Sequence, residues 1–263
     1  EPLPLLDTGN MMRAARFRQA LVRQASVRTA LFGAGLALGL GLAMPASAQQ
    51  RPYLLWLDGA KLDIAKIIGL PPAQNSPEGK AEFEQVQQIT LNRTPEREKA
   101  AIADQRLALV NFLNGMDTGY VDGTHREVRL LFREAQVELG ILLKSVHRLT
   151  SRQRPFQLWA KVRVKPCPGA RPEGTSFPSG HAATAALYAE LLKTAAPELG
   201  DKLEQRVKSY GESRLICGFH YPSDLVAGDK VGRAVAKALL ADQAFKLRFD
   251  ETVPEIRVAF GVK

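Results

Sequence analysis

The stretch from Thr124 to Pro155 limits the fold of this chain more than any other. Val128, Leu131, Ala135, Leu139, Leu142 and Val146 recur there at three- and four-residue steps. That spacing gathers six apolar side chains on one face of a helix, whereas a strand would scatter them over both faces. A helix with one apolar face needs partners that bury it. Candidate partners lie on both sides. AEFEQVQQITL spaces Phe83, Val86 and Ile89 or Leu91 along one face. Thr94-Pro95 reads as an N-cap and first helical residue, opening a helix through Ile102, Leu107, Val110 and Phe112 to Asn114-Gly115. Thr124 with Glu127 reads as a capping box for the central helix. A further helix is predicted from Ser179 or Gly180 through AATAALYAELLKTAA, another from Pro197-Glu198, and a last long one from Pro222 through Phe245. Alternating strand patterns are nearly absent. The expectation is an all-α, single-domain helical bundle over residues 77–249. An irregular segment with one short helix at 49–76 precedes it, and an irregular or weakly extended tail at 250–263 follows.

The first 48 residues read differently. Met11 and Met12 open a basic run of Arg13, Arg16, Arg18, Arg23 and Arg28, followed by the apolar run LFGAGLALGLGLA and then Ala46-Ser47-Ala48. Basic, apolar and small-x-small regions in this order predict a secretory signal peptide rather than an uncleaved anchor, because the apolar run is short for a membrane span. Residues 1–10 form an upstream extension. The mature chain is then expected to begin near Gln49 and to be periplasmic or secreted. The whole chain carries +9; the leader holds five Arg against Glu1 and Asp7, so the remainder carries 9 − 3 = +6. Such a balance suits anionic partners. No long Lys/Arg tract or aromatic-basic interleaving points to a nucleic-acid-binding module. No later stretch reaches eighteen consecutive apolar residues, so no membrane span is expected in the mature chain. Cys167 and Cys217 both lie in the exported part. An oxidising compartment favours a disulfide between them over two free thiols. Two cysteines without metal spacing do not suggest zinc.

Three of the four histidines fall in three blocks: HRLTSRQRP from His147 to Pro155, PSGH from Pro178 to His181, and SRLICGFHYPSD from Ser213 to Asp224. The fourth, His125, is expected in the first turn of a helix as a solvated residue. His220 and Asp224 are four apart, so the carboxylate can take the Nδ1 proton and leave Nε2 as nucleophile or base. Arg214 would diverge from His220 on one unbroken helix; Gly218 and Pro222 allow one helix to end and another to begin, aiming both side chains together. Arg154 and Arg214 are guanidinium forks suited to phosphate oxygens. Ser179 and Gly180 offer a hydroxyl and backbone N–H groups at a helix start. Two histidines supply a nucleophile and an acid. Together these are the parts of a phosphoryl-transfer site.

At these residues the chain resembles the type 2 phosphatidic acid phosphatase superfamily, and within it the bacterial class A non-specific acid phosphatases. That family's pattern is Lys-x6-Arg-Pro, Pro-Ser-Gly-His and Ser-Arg-x5-His-x3-Asp. Arg154-Pro155, Pro178-Ser179-Gly180-His181 and Ser213-Arg214 with His220 and Asp224 match it. The resemblance implies the helical bundle of the acid phosphatase and vanadium haloperoxidase type. It implies His220 as the residue phosphorylated, Asp224 as its orienter and His181 as the proton donor. Arg154, Arg214, Ser179 and Gly180 would hold the phosphate. It implies phosphate-ester substrates, no metal or other cofactor, and phosphate or vanadate as product or inhibitor in the site. A homo-oligomer is left open. One position departs: the family lysine falls on His147, with Lys144 one turn upstream. His147 as a protonated cation, Lys144 reaching in, or a missing charge are the competing accounts, and His147 near the phosphate is preferred. Three rival readings are a vanadium-dependent haloperoxidase, a weakly catalytic phosphate- or phospholipid-binding module, and a lipid phosphatase acting at a membrane surface.

Overall fold

A computed structural model describes residues 56–57, 62–158, 164–169 and 171–262. The signal peptide expected at 1–48 lies outside the described residues. Every regular element among them is helical: α1 (Ile64–Ile68), α2 (Pro77–Leu91), α3 (Pro95–Ala103), α4 (Leu109–Phe112), α5 (Arg126–His147), α6 (Gly180–Ala195), α7 (Gly200–Ile216), α8 (Pro222–Ala241) and α9 (Gln243–Ala259), with short 3-10 turns at Pro155–Leu158 and Pro197–Leu199. All of these fall within one compact unit, Gln49–Lys263.

The six periodic residues of α5 are all buried, which is why that pattern specifies a helix. At the centre stands α6. Nearly all of its side chains from Ala182 to Leu192 are buried, and it packs against α5, α7, α8 and α9. A helix apolar all round has to be surrounded. Its approach to α8 is unusually close. A Cβ built on Gly228 would lie 2.3 Å from the Ser179 carbonyl oxygen, and one on Gly232 would lie 2.1 Å from that of Ala183. Only glycine permits this contact, so the small-residue seam brings the start of α6 against the start of α8.

Three expectations are corrected. The helix predicted from Thr94 to Gly115 breaks at Asp104 into α3 and α4. Tertiary partners take the groups that would have continued it: Asp104 pairs with Arg206 at 2.6 Å, the Arg106 carbonyl accepts from Tyr210 Oη at 2.9 Å and the Leu107 carbonyl from Gln136 Nε2 at 3.0 Å. The capping box at Thr124 does not form. Helix α5 starts one residue later with His125 as its N-cap, whose Nδ1 accepts from the Val121 N–H and whose ring stacks on Tyr120. His125 is thus half-buried rather than solvated. The tail is helical, not irregular. Asp242 ends α8 and caps α9 by accepting from the Phe245 N–H at 2.9 Å. Phe245, Phe249, Ile256 and Ala259 then bury one face of α9 through residue 259. Pro254 inside this helix removes a hydrogen bond to the Asp250 carbonyl. Both residues are exposed, so water can take that carbonyl.

Candidate active site

The α7–α8 connection creates the first half of the site. Helix α7 ends at Ile216, and Gly218 turns the chain with φ +66°, a conformation costly for other residues. A Cβ there would also meet Val164 Cγ1 at 2.8 Å. Pro222 then starts α8. This turn places His220 under Asp224: Nδ1 lies 3.4 Å from Asp224 Oδ2, which also accepts the Tyr221 N–H at 2.8 Å. The other ring nitrogen, Nε2, faces Arg154 Nη1 at 3.1 Å. A single tautomer satisfies both sides, with the proton on Nδ1 and the lone pair on Nε2. Burial pushes the His220 pKa down to about 4, against the raising effect of Asp224, and Arg154 lowers it further. Burial works to raise Asp224, but the hydrogen bond from His220 and the charge of Arg152 outweigh it and hold the carboxyl below its ordinary value.

Arg154 is fixed by backbone. Its fork donates to the carbonyls of Thr175 at 2.8 Å, Phe219 at 3.1 Å and Glu173 at 3.2 Å. The disulfide Cys167–Cys217, with Cα atoms 4.6 Å apart, ties the segment before these carbonyls to the end of α7. Arg93 adds donors to the carbonyls of Lys165, Pro166 and Ile216.

The second half lies at the start of α6. Ser179 is its N-cap: the hydroxyl accepts from the Ala182 N–H at 3.4 Å, and the Ser179 N–H donates to the Asp224 carbonyl at 2.9 Å. The Ser179 N–H is thereby committed to the fold, while its hydroxyl, an acceptor in the cap, keeps its O–H donor. The N–H groups of Gly180 and His181 open the helix without an intrahelical acceptor, so they are the backbone donors suited to an anion. His181 Nε2 lies 2.9 Å from the Gln105 carbonyl oxygen and 3.3 Å from Arg214 Nη1. Arg214 Nη2 donates to the Ala101 carbonyl at 2.9 Å. Burial pushes His181 well below the ordinary imidazole range, with Arg214 adding to the effect. Burial lowers Arg154 and Arg214 to about 10, so both remain cations in neutral and acid solution.

His147, at the end of α5, places Nε2 3.0 Å from the Pro178 carbonyl oxygen. Burial lowers its pKa, and the charge of Arg154 works in the same direction. Lys144 is exposed. Sequence reasoning did not single out Arg152, whose guanidinium reaches Asp224 Oδ1 at 2.6 Å and Glu82 Oε2 at 2.7 Å. The alternating Arg152-Gln153-Arg154 run was the available signal. It also missed Glu82, Ala101 and Gln105, the last two acting through main-chain oxygens that leave no trace in residue type.

Two fixed cations, two imidazoles with a lone pair or proton to offer, and open helix N–H groups make a site for a tetrahedral oxyanion. Residues 139–248, which hold these side chains, match the PAP2 superfamily. A non-specific acid phosphatase of Salmonella typhi is 38% identical over 104 residues, covering 39% of this chain and 41% of that protein. The match thus spans about two-fifths of that relative's length. A non-specific acid phosphatase of Providencia stuartii is 26% identical over 213 residues, 78% of this chain and 86% of that one. A transmembrane PAP2-type phosphatidylglycerolphosphate phosphatase from Bacillus subtilis aligns with a TM-score of 0.44 at 19% identity, covering 72% of this chain and 92% of its own. No described helix here is long and apolar enough to cross a membrane.

Proposed function

We propose that this protein is an exported, metal-independent acid phosphatase that hydrolyses small phosphate monoesters through a phosphohistidine at His220. The observation that carries this reading is the orientation of His220. Asp224 takes one nitrogen and the other faces Arg154 at 3.1 Å, which supports in-line attack by Nε2 on a phosphorus whose oxygens Arg154 and Arg214 would hold. The Nε2 lone pair forms the P–N bond as the ester P–O bond breaks, and the leaving oxygen takes its proton from His181 Nε2. Water then attacks phosphorus, gives a proton to His181, and the P–N electron pair returns to Nε2. A nucleophile that stays neutral down to about pH 4 fits work in acid. Burial and Arg214 disfavour the protonated His181 ring, but a bound phosphate dianion raises its pKa, because opposite charge favours the protonated ring. The disulfide supports export, since such bonds persist in oxidising compartments. Vanadate is then an inhibitor that mimics the trigonal-bipyramidal transition state.

The test is hydrolysis of p-nitrophenyl phosphate by the mature chain, with chelator present, at acid and neutral pH. A base-stable, acid-labile phosphoenzyme should be trapped in the parent and be missing from His220→Ala. Turnover that requires added metal, or that survives in His220→Ala, refutes the reading. His147 favours a second reading, a phosphate-binding module with weak turnover. Its lowered pKa leaves one fewer cation at neutral pH than a lysine there would supply. His147→Lys should extend activity toward neutral pH, and an unchanged pH–rate profile removes His147 from the account.

A further inference from the structure

Behind His220 lies a row of buried charges that the reaction does not touch. Asp224 uses Oδ2 for His220 and the Tyr221 N–H, which leaves Oδ1 for Arg152 at 2.6 Å. Arg152 in turn meets Glu82 Oε2 at 2.7 Å and Ser223 Oγ at 2.7 Å, and its guanidinium lies 4.0 Å above the Tyr221 ring. Glu82 comes from α2, far away in sequence, and closes the row by accepting the Ser223 N–H at 2.6 Å. Side-chain exposures are 3% for Arg152, 15% for Glu82 and 0% for Asp224. The order is therefore imidazole, carboxylate, guanidinium, carboxylate, in surroundings where charges are weakly screened.

We propose that Arg152 and Glu82 are positioning residues that set how strongly Asp224 acts on His220, and so tune the nucleophile from the side opposite the substrate. The inference rests on the reading of His220 as nucleophile. Arg152 draws the charge of Asp224 toward Oδ1 and away from the Nδ1 proton. Glu82 moderates Arg152 by pairing with it. Removing Arg152 leaves the Asp224 charge to His220 alone, which favours the protonated ring. Removing the charge of Glu82 frees Arg152 to act on Asp224 more strongly, which disfavours it. The two substitutions thus act in opposite directions. A purely structural clasp between α2, the Arg152 segment and α8 predicts the same direction for both, namely loss of order.

Other charges facing His220 stay in place. They are Arg154 before the 3-10 turn, Arg214 on α7 and His181 on α6, with His147 on α5 within electrostatic reach of Asp224. They are common to parent and variants and cancel in the comparison.

The experiment is an NMR titration of the His220 ring in the full mature chain, assigned by its loss in His220→Ala. The parent, Glu82→Gln and Arg152→Met are compared beside the acid limb of kcat/KM for p-nitrophenyl phosphate. Glu82→Gln should move both midpoints down, and Arg152→Met should move both up, each by about half a unit or more. Arg152→Lys should restore most of the parent midpoint. Movement of both variants in one direction, or no movement in folded protein, overturns the proposal. If Arg152→Met does not fold, Glu82→Gln decides alone: a downward shift supports the proposal, while no shift or an upward one overturns it. If the parent hydrolyses nothing, the phosphatase reading fails by itself and the ring titration still decides between tuning and clasp.

Discussion

The two histidines of the site are held in opposite ways. His220 has a complementary partner on each nitrogen, a carboxylate at Nδ1 and a guanidinium at Nε2, so one tautomer answers both. His181 presents a single nitrogen to a carbonyl oxygen that needs a donor and to a guanidinium that needs an acceptor. No tautomer satisfies both. A nucleophile gains from a lone pair fixed in direction. A group that must give a proton and later take one needs surroundings that change with what is bound: burial and Arg214 disfavour the protonated His181 ring, and an anion beside it would favour it. On the proposed mechanism, a phosphate oxygen arriving at Arg214 would remove the conflict by giving the guanidinium a better acceptor, and His181 Nε2 could then carry a proton.

Substitutions at the two rings should separate these roles. His220→Ala should lower kcat by about 10⁴-fold or more for every substrate, because no covalent step remains. Equal losses for all leaving groups would mark it as the nucleophile; a loss confined to poor leaving groups would exchange the two roles. His181→Ala should cost about 10²–10⁴-fold on alkyl phosphates and markedly less on p-nitrophenyl phosphate, whose leaving oxygen needs little protonation. A leaving-group-independent loss there would break the comparison.

The glycine seam holds the two halves together. Gly228→Ala must move the Ser179 carbonyl that its Cβ would overlap, which should cost about 1–3 kcal/mol in denaturant unfolding and lower kcat. Unaltered stability would mean that the seam yields without strain. The last effect is on the pH dependence of stability. His220 in the folded protein has a pKa of about 4 and in the unfolded chain about 6.5. Between these values the unfolded chain binds the proton that the folded one refuses, so stability falls as pH drops through that window. The melting temperature should fall by several degrees from pH 6.5 to 4, and His220→Ala should flatten part of that slope. His181 and His147, also lowered, add to it, and carboxylates held below their ordinary value, such as Glu204, contribute near pH 4. A flat profile in the parent would place His220 in a wetter environment than its burial implies.

Much of this was legible along the chain. The three- and four-residue steps of α5 predicted a helix, and the same residues are buried. His220 with Asp224, and Gly218 with Pro222, foretold a helix break that turns two side chains inward, because those signals are local. The break at Asp104 was not legible. The segment from Thr94 to Gly115 has helical periodicity, and only Arg206, Tyr210 and Gln136, all distant in sequence, draw its polar groups away. The last helix was not legible either: it carries Pro254, and only the burial of Phe245, Phe249 and Ile256 outweighs the one hydrogen bond lost there.

The sequence by itself determined the helical class and the residue types of the site, since periodicity and short spacings depend only on neighbours along the chain. The tertiary structure alone decided which partners those residues meet. Arg152 lies between Glu82 and Asp224. Ser179 spends its backbone N–H on the fold, and a main-chain oxygen of Gln105 faces His181. The reason is physical: the strength of a buried charge or hydrogen bond is set by what packing brings within a few ångströms. Residues 70 or more positions apart are brought there only by the closed core.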